Sequence, residues 1–144
     1  MLRTTYFDSS VILSMLFSDA RVERALQLWS EETLRVSSRL TALECATVIH
    51  RYAQKLPAVV REKEVKKCFD WLSGVLGRLV IYEIDREVGN LIKAESKFGK
   101  CRTLDAIHLA TATIFAANSA ELKVATFDDR MRVVAVDCGL QVEN

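Results

Sequence analysis

Four carboxylates stand apart from the other charges in this 144-residue chain. Asp8 is the only formally charged side chain between Arg3 and Asp19. Glu44 is the only one between Arg39 and Arg51, and Asp105 the only one between Arg102 and Glu121, although 27% of the chain is charged. Asp128 follows directly on the apolar run LKVATF, with Asp129 beside it. An ionised carboxylate among apolar and hydroxyl neighbours is costly unless it is paired, hydrogen-bonded or bound to metal. Several brought together would repel one another, and a divalent cation resolves that conflict. Mg2+ and Mn2+ prefer oxygen ligands, and a carboxylate cluster with open water positions suits them. Such a site can bind a phosphodiester, activate a water and stabilise the leaving oxygen.

Each acid also has an ordinary role open to it. Asp105 fits the first turn of a helix capped by Thr103, where the macrodipole favours a negative charge. Glu44 closes the capping-box pattern TALE with Thr41. Asp8, in DSS, fits an Asx turn or a helix cap, and FDDR at 127–130 fits a turn. The four positions form no local motif, so the residues alone leave both their convergence and these separate roles open.

The acids must be positioned by regular elements. TTYF at 4–7 reads as a first strand, followed by a helix through SSVILSMLF. Asp19 is placed to start a second helix over 20–33, with Val22, Leu26 and Trp29 on one face. LRVS at 34–37 reads as a strand. Residues 39–55 read as a helix that ends before Pro57, and 58–76 as an amphipathic helix with Gly74 and Gly77 at its exit. RLVIYEI at 78–84 is a third strand, then a helix spans about 85–98 and stops at Gly99. LDAIHLATA at 104–112 is a helix apolar nearly all round and therefore covered on several sides. LKVATF at 122–127 is a fourth strand, a short helix runs through RMRVVAVDC, and LQVE at 140–143 is a fifth strand. Alternating strands and helices define an α/β class with a central, mostly parallel sheet flanked by helices. No composition shift divides residues 1–144, so one domain is expected. Asp8 and Asp128 then follow the C-terminal ends of two strands, the edge where open α/β sheets bind ligands.

With half its residues hydrophobic, the chain can fill a substantial core. One Pro, five Gly and no low-complexity run argue against disorder. The net charge of +1 neither requires nor excludes a nucleic-acid partner, because a local basic face can hide in a neutral total. Cys45, Cys68, Cys101 and Cys138 are too far apart for a CxxC pair, which argues against structural zinc and a disulfide framework. A reduced, cytoplasmic setting is expected. The opening MLRTTYFDSSVILSML lacks a signal-peptide core, and no apolar run reaches membrane-spanning length.

The sequence resembles the PIN-domain family, and within it looks most like the VapC toxins of prokaryotic toxin–antitoxin pairs. The resemblance is carried by YFDSSVIL (6–13), SSRLTALECATVIHR (37–51), LDAIHLATA (104–112), VATFDDRMRVVA (124–135) and the closing CGLQVEN. It implies a single PIN-like nuclease domain whose acids are Asp8, Glu44, Asp105 and Asp128, both catalytic and holding one or two Mg2+ or Mn2+ ions. Ser10 and Thr126 are implied to orient those acids or a bound water, and Asp129 is a neighbour that competes with Asp128 for the fourth place. The implied activity is a metal-dependent endoribonuclease, cleaving RNA phosphodiester bonds with a metal-activated water. The implied partners are an RNA substrate, a small antitoxin protein and a second copy in a homodimer. The helical segments at 20–33 and 58–76 are the candidates for those interfaces.

His108 lies one helical turn beyond Asp105, where packing or a hydrogen bond to a site residue is favoured over metal binding or general-base work. Arg39, Lys100, Arg102 and Arg130 are candidates for the RNA backbone, with Lys97 and Arg132 nearby. Two alternatives compete: a catalytically idle PIN domain that binds RNA or protein, and a receiver-like signalling domain. The second is disfavoured because the third strand ends in Glu83 and Asp85, and Lys123 begins its strand instead of ending it.

Overall fold

The computed structural model describes residues 3–144, so Met1 and Leu2 lie outside the described residues. Five strands form one sheet: β1 (Arg3–Phe7), β2 (Leu34–Ser38), β3 (Val80–Tyr82), β4 (Glu121–Ala125) and β5 (Gln141–Val142). Their order is β3-β2-β1-β4-β5, and all four pairings are parallel. Parallel neighbours need crossover connections, and the helices supply them. They are α1 (Ser9–Phe17), α2 (Val22–Ser30), α3 (Arg39–Gln54), α4 (Ala58–Leu76), α5 (Arg86–Ala94), α6 (Thr103–Ala116) and α7 (Asp129–Asp137).

Side chains alternate across a strand, so β1 serves both faces of the sheet. Phe7 packs with Val11, Ile12, Cys45, Ile49 and Leu72, the cluster built by α1 to α4. Tyr6 points the other way, joining Val36, Val124 and Ala112 of α6. On that side α5, α6 and α7 close a further cluster around Val88, Leu109 and Met131. With both faces covered, β1 is buried from Thr4 to Phe7, as expected for a central parallel strand. The helix containing LDAIHLATA is covered on several sides, as its sequence predicts: Ala106, His108, Leu109, Ala110, Thr111 and Ala112 are all buried.

The structure departs from the sequence reading at element ends. Asp19 does not begin α2. It accepts the Ser14 hydroxyl (2.5 Å) and the Arg21 amide (2.8 Å), closing the turn before a helix that starts at Val22. The helix expected over 85–98 stops at Ala94, because Glu95 is extended, and resumes as a 3-10 segment over Ser96–Lys100. That break lets Phe98 turn into the α5–α7 cluster. The third strand keeps only three of the seven residues expected. Gly139, at φ +83, takes the left-handed turn from α7 into β5, a conformation glycine adopts without steric cost. The four cysteines are free thiols. Among the described residues, no helix is long and apolar enough to cross a membrane.

Candidate active site

From β1 the chain moves outward to β2 and β3, then crosses back to β4 and β5 on the other side. The reversal point lies between β1 and β4, and the crevice beyond the C-terminal ends of those strands is where such sheets bind ligands. Asp8 leaves β1 there, and Thr126 and Asp128 leave β4. The Asp8 N–H still donates to the Ala125 carbonyl at 3.3 Å, so the two chain ends run together.

Asp8 is buried and caps α1. Its Oδ1 accepts the Ser10 amide (3.0 Å) and the Ser10 hydroxyl (2.6 Å), and its Oδ2 accepts the Thr126 hydroxyl (2.5 Å). The same hydroxyl oxygens accept in turn: Ser10 Oγ from the Phe127 N–H at 2.8 Å, and Thr126 Oγ1 from the Asp128 N–H at 3.0 Å. Ser10 and Thr126 therefore fasten the β1–α1 corner to the β4–α7 turn through the Asp8 carboxylate. Burial pushes the Asp8 pKa above its ordinary value, while His108 and these hydroxyls pull against that rise.

Glu44 is not part of a capping box with Thr41. The cap of α3 is Ser38, whose hydroxyl accepts the Leu40 amide at 3.0 Å, so Glu44 lies beyond the first turn. The Thr41 hydroxyl meets Ser37 instead, at 2.8 Å. Glu44 Oε1 meets His108 Nε2 at 2.5 Å and accepts the Ser9 hydroxyl at 3.3 Å. His108 is buried, and its Nδ1 lies 2.7 Å from the Tyr6 hydroxyl. Burial holds the Tyr6 phenol well above its usual pKa, with the Asp8 and Glu44 charges adding to the rise.

Asp105 occupies the first turn of α6, but Thr103 does not cap that helix. Arg102 is the cap residue, and it makes no side-chain capping bond. The Asp105 pKa is raised, first by burial and then by the Asp128 charge, while His108, Arg130 and Arg102 oppose the rise. Asp128 caps α7, its Oδ1 accepting the amides of Arg130 (2.9 Å) and Met131 (3.2 Å). Asp129 is an exposed first-turn residue of α7. Asp128 is thus the member of the pair whose charge is felt at Asp105.

Asp105 feels the Asp128 charge, the Asp8 and Glu44 charges both act on Tyr6, and His108 bonds Glu44. Among the described residues, no three of these side chains gather into a metal-holding group. Their donor chemistry nonetheless fits Mg2+ or Mn2+. Glu44 Oε2, both Asp105 carboxylate oxygens and Asp128 Oδ2 carry no hydrogen bond among the described residues. These are hard oxygen donors at a solvent-reached edge, the kind those cations select.

The basic candidates separate into two sets. Arg102 and Arg130 stand near enough to Asp105 to lower its pKa. Arg39, by contrast, is committed to Glu83, with contacts of 2.6 and 3.1 Å. Lys97 bonds the Cys138 carbonyl (3.3 Å) and pairs with Glu95 (2.9 Å), and Lys100 also lies within electrostatic reach of Cys138. Cys138 is at the opposite end of α7 from Asp128. Arg132 bonds the Glu143 carbonyl. Sequence reasoning missed Tyr6 and Ser9. Tyr6 could have been found by strand period, since it lies two residues before Asp8 and so shares its face of the strand.

The PIN domain family model matches residues 5–137, and the chain belongs to that family. No curated protein matches at a comparable level. Among solved structures, FitAcB from Neisseria gonorrhoeae is similar with a TM-score of 0.68 and 20% identity, covering 97% of this chain and 96% of that one. A toxin–antitoxin complex from Klebsiella pneumoniae gives 0.61 and 22%, with 89% of each chain covered. VapBC2 from Rickettsia felis, solved with a DNA fragment from its promoter, gives 0.61 and 15%, with 98% of each covered. At these identities the likeness is one of fold.

Proposed function

We propose that this PIN domain is a metal-dependent endoribonuclease acting as the toxin of a toxin–antitoxin pair. The observation that carries this reading is the closeness of Asp105 to Asp128 at the strand-reversal edge that Asp8 also occupies, with Glu44 held by His108 and carboxylate oxygens left unengaged. Asp8, Glu44, Asp105 and Asp128 would hold Mg2+ or Mn2+, which supplies Lewis-acid polarisation of the phosphodiester and a more acidic water. Ser10 and Thr126 fix the Asp8 carboxylate by hydrogen bonds to both of its oxygens. Arg102 and Arg130, which act electrostatically on Asp105, would hold RNA phosphates beside it.

The fold neighbours described as toxin–antitoxin complexes support a small antitoxin as the protein partner. The α1–α2–α4 face offers it a groove of about 420 Å³ lined by Met15, Leu26, Trp29 and Trp71, with Leu26 half exposed. An amphipathic helix seats its apolar side in such a groove. A homodimer belongs to the same proposal, and sedimentation of the purified protein tests it.

The deciding experiment is RNA cleavage by the purified chain. Activity is expected with Mg2+ or Mn2+, none in EDTA, and near-complete loss in Asp105→Asn with the fold retained. Cleavage that persists in excess EDTA rejects the metal mechanism. A folded wild type that binds RNA but never cleaves it favours the idle binding module instead.

A further inference from the structure

We propose that Tyr6 and His108 are positioning residues that hold Glu44 by its Oε1 atom, leaving Oε2 as the oxygen offered to a divalent cation. This rests on the metal-site reading above. The three residues come from β1, α6 and α3, so the imidazole ties the central strand to helices on both faces of the sheet.

The direction of the bonds follows from donor and acceptor chemistry. An ionised Glu44 can only accept, so the contact of 2.5 Å to His108 makes Nε2 the donor. On the other side of the ring, Nδ1 lies 2.7 Å from the Tyr6 hydroxyl, so the imidazole is held from both nitrogens. The imidazole has little freedom to leave: it is 3% exposed and meets the Tyr6 ring edge-on, with centroids 5.9 Å apart.

Glu44 needs this restraint more than Asp8 does. Asp8 has both oxygens bonded. Glu44 has three side-chain torsions, is partly exposed, and is held through Oε1 alone, by His108 and a longer contact to Ser9. Without the ring, its carboxylate is free to turn into solvent.

The test measures Mn2+ affinity by electron paramagnetic resonance of free Mn2+, without substrate, for the wild type, Asp105→Asn, His108→Leu, His108→Gln and Tyr6→Phe. Partners that orient a metal ligand typically contribute about 10- to 100-fold in affinity. His108→Leu is expected to weaken binding by about that much. His108→Gln, whose amide can donate from near the Nε2 position, is expected to recover most of the loss, and Tyr6→Phe to show a smaller one. Ring 15N spectra of the metal-free wild type should show a proton on Nε2, with the Nδ1 signal moved in Tyr6→Phe. Equal affinity in the Leu and Gln variants, or a ring with no proton on Nε2, overturns the positioning role while the metal site stands. A wild type without Mn2+ affinity, or an Asp105→Asn variant that binds as tightly as wild type, overturns the metal site itself and the positioning role with it.

Discussion

Asp8, which is buried, and Asp105, which is partly exposed, meet the cost of desolvation in different ways. Asp8 answers it with hydrogen bonds to both oxygens, and an amide there would aim its NH2 group at Thr126. Asp105 accepts no hydrogen bond among the described residues, and burial and Asp128 both raise its pKa. A raised pKa means that the folded state holds the proton more tightly than the unfolded chain. Stability therefore falls as pH rises from the unfolded value, about 3.9, through the folded one, and stays reduced above it. Asp105→Asn removes that penalty without changing shape. In EDTA at pH 7 the variant should melt a few degrees above wild type, roughly the shift of a sub-kilocalorie gain, with the gap closing below about pH 4. Added Mn2+ should reverse the order, because a ligand that binds only the native state stabilises it by mass action. Thermal melts across pH, with and without metal, check both parts. A variant less stable than wild type in EDTA would mean that Asp105 serves the α6 macrodipole.

Helix starts carry much of the site, since α1, α3 and α7 each begin at the C-terminal end of a strand and are capped by Asp8, Ser38 and Asp128. For Asp128, capping and charge can be separated. Asn and Asp cap about equally well, whereas Ala costs about 1 kcal/mol. Urea unfolding should find Asp128→Asn close to wild type and Asp128→Ala about 1 kcal/mol less stable, with RNA cleavage lost in both. Cleavage retained in Asp128→Asn would remove Asp128 from the reaction. These starts also mark what the sequence could and could not tell. The α/β alternation, the isolated acids and the strand-end positions of Asp8 and Asp128 were legible, because burial and period leave a one-dimensional trace. Caps were not: Ser38 and Thr41 both look like helix starts, and only where β2 stops makes Ser38 the cap and frees Glu44. Strand period puts Tyr6 on the Asp8 side, but the partner of its hydroxyl was hidden for a related reason. An aromatic residue in an apolar strand reads as core, and its hydroxyl finds His108 only across 102 residues of chain.

Across the whole molecule the charges nearly cancel, at +1 net, so any grip on an RNA backbone must come from where the cations sit. Several are already spoken for: Arg39 by Glu83, Lys66 by Asp70 and Lys97 by Glu95. Arg102 and Arg130 make no side-chain hydrogen bond or ion pair among the described residues, yet both act on Asp105. A phosphate near the acids would meet these two first. Each phosphate neutralised on a single strand adds about 0.7 to the slope of log affinity against log salt. In an Asp8→Asn background, which prevents cleavage during the measurement, the Arg102→Gln, Arg130→Gln double variant should therefore flatten that slope by about 1.4. Arg39→Gln in the same background should leave it nearly unchanged, because its charge is already balanced by Glu83. Fluorescence anisotropy with a labelled single-stranded RNA across a salt series reads both slopes. If Arg39 flattens the slope and the Arg102–Arg130 pair does not, RNA crosses the β2–β3 side of the sheet edge instead of the β1–β4 crevice.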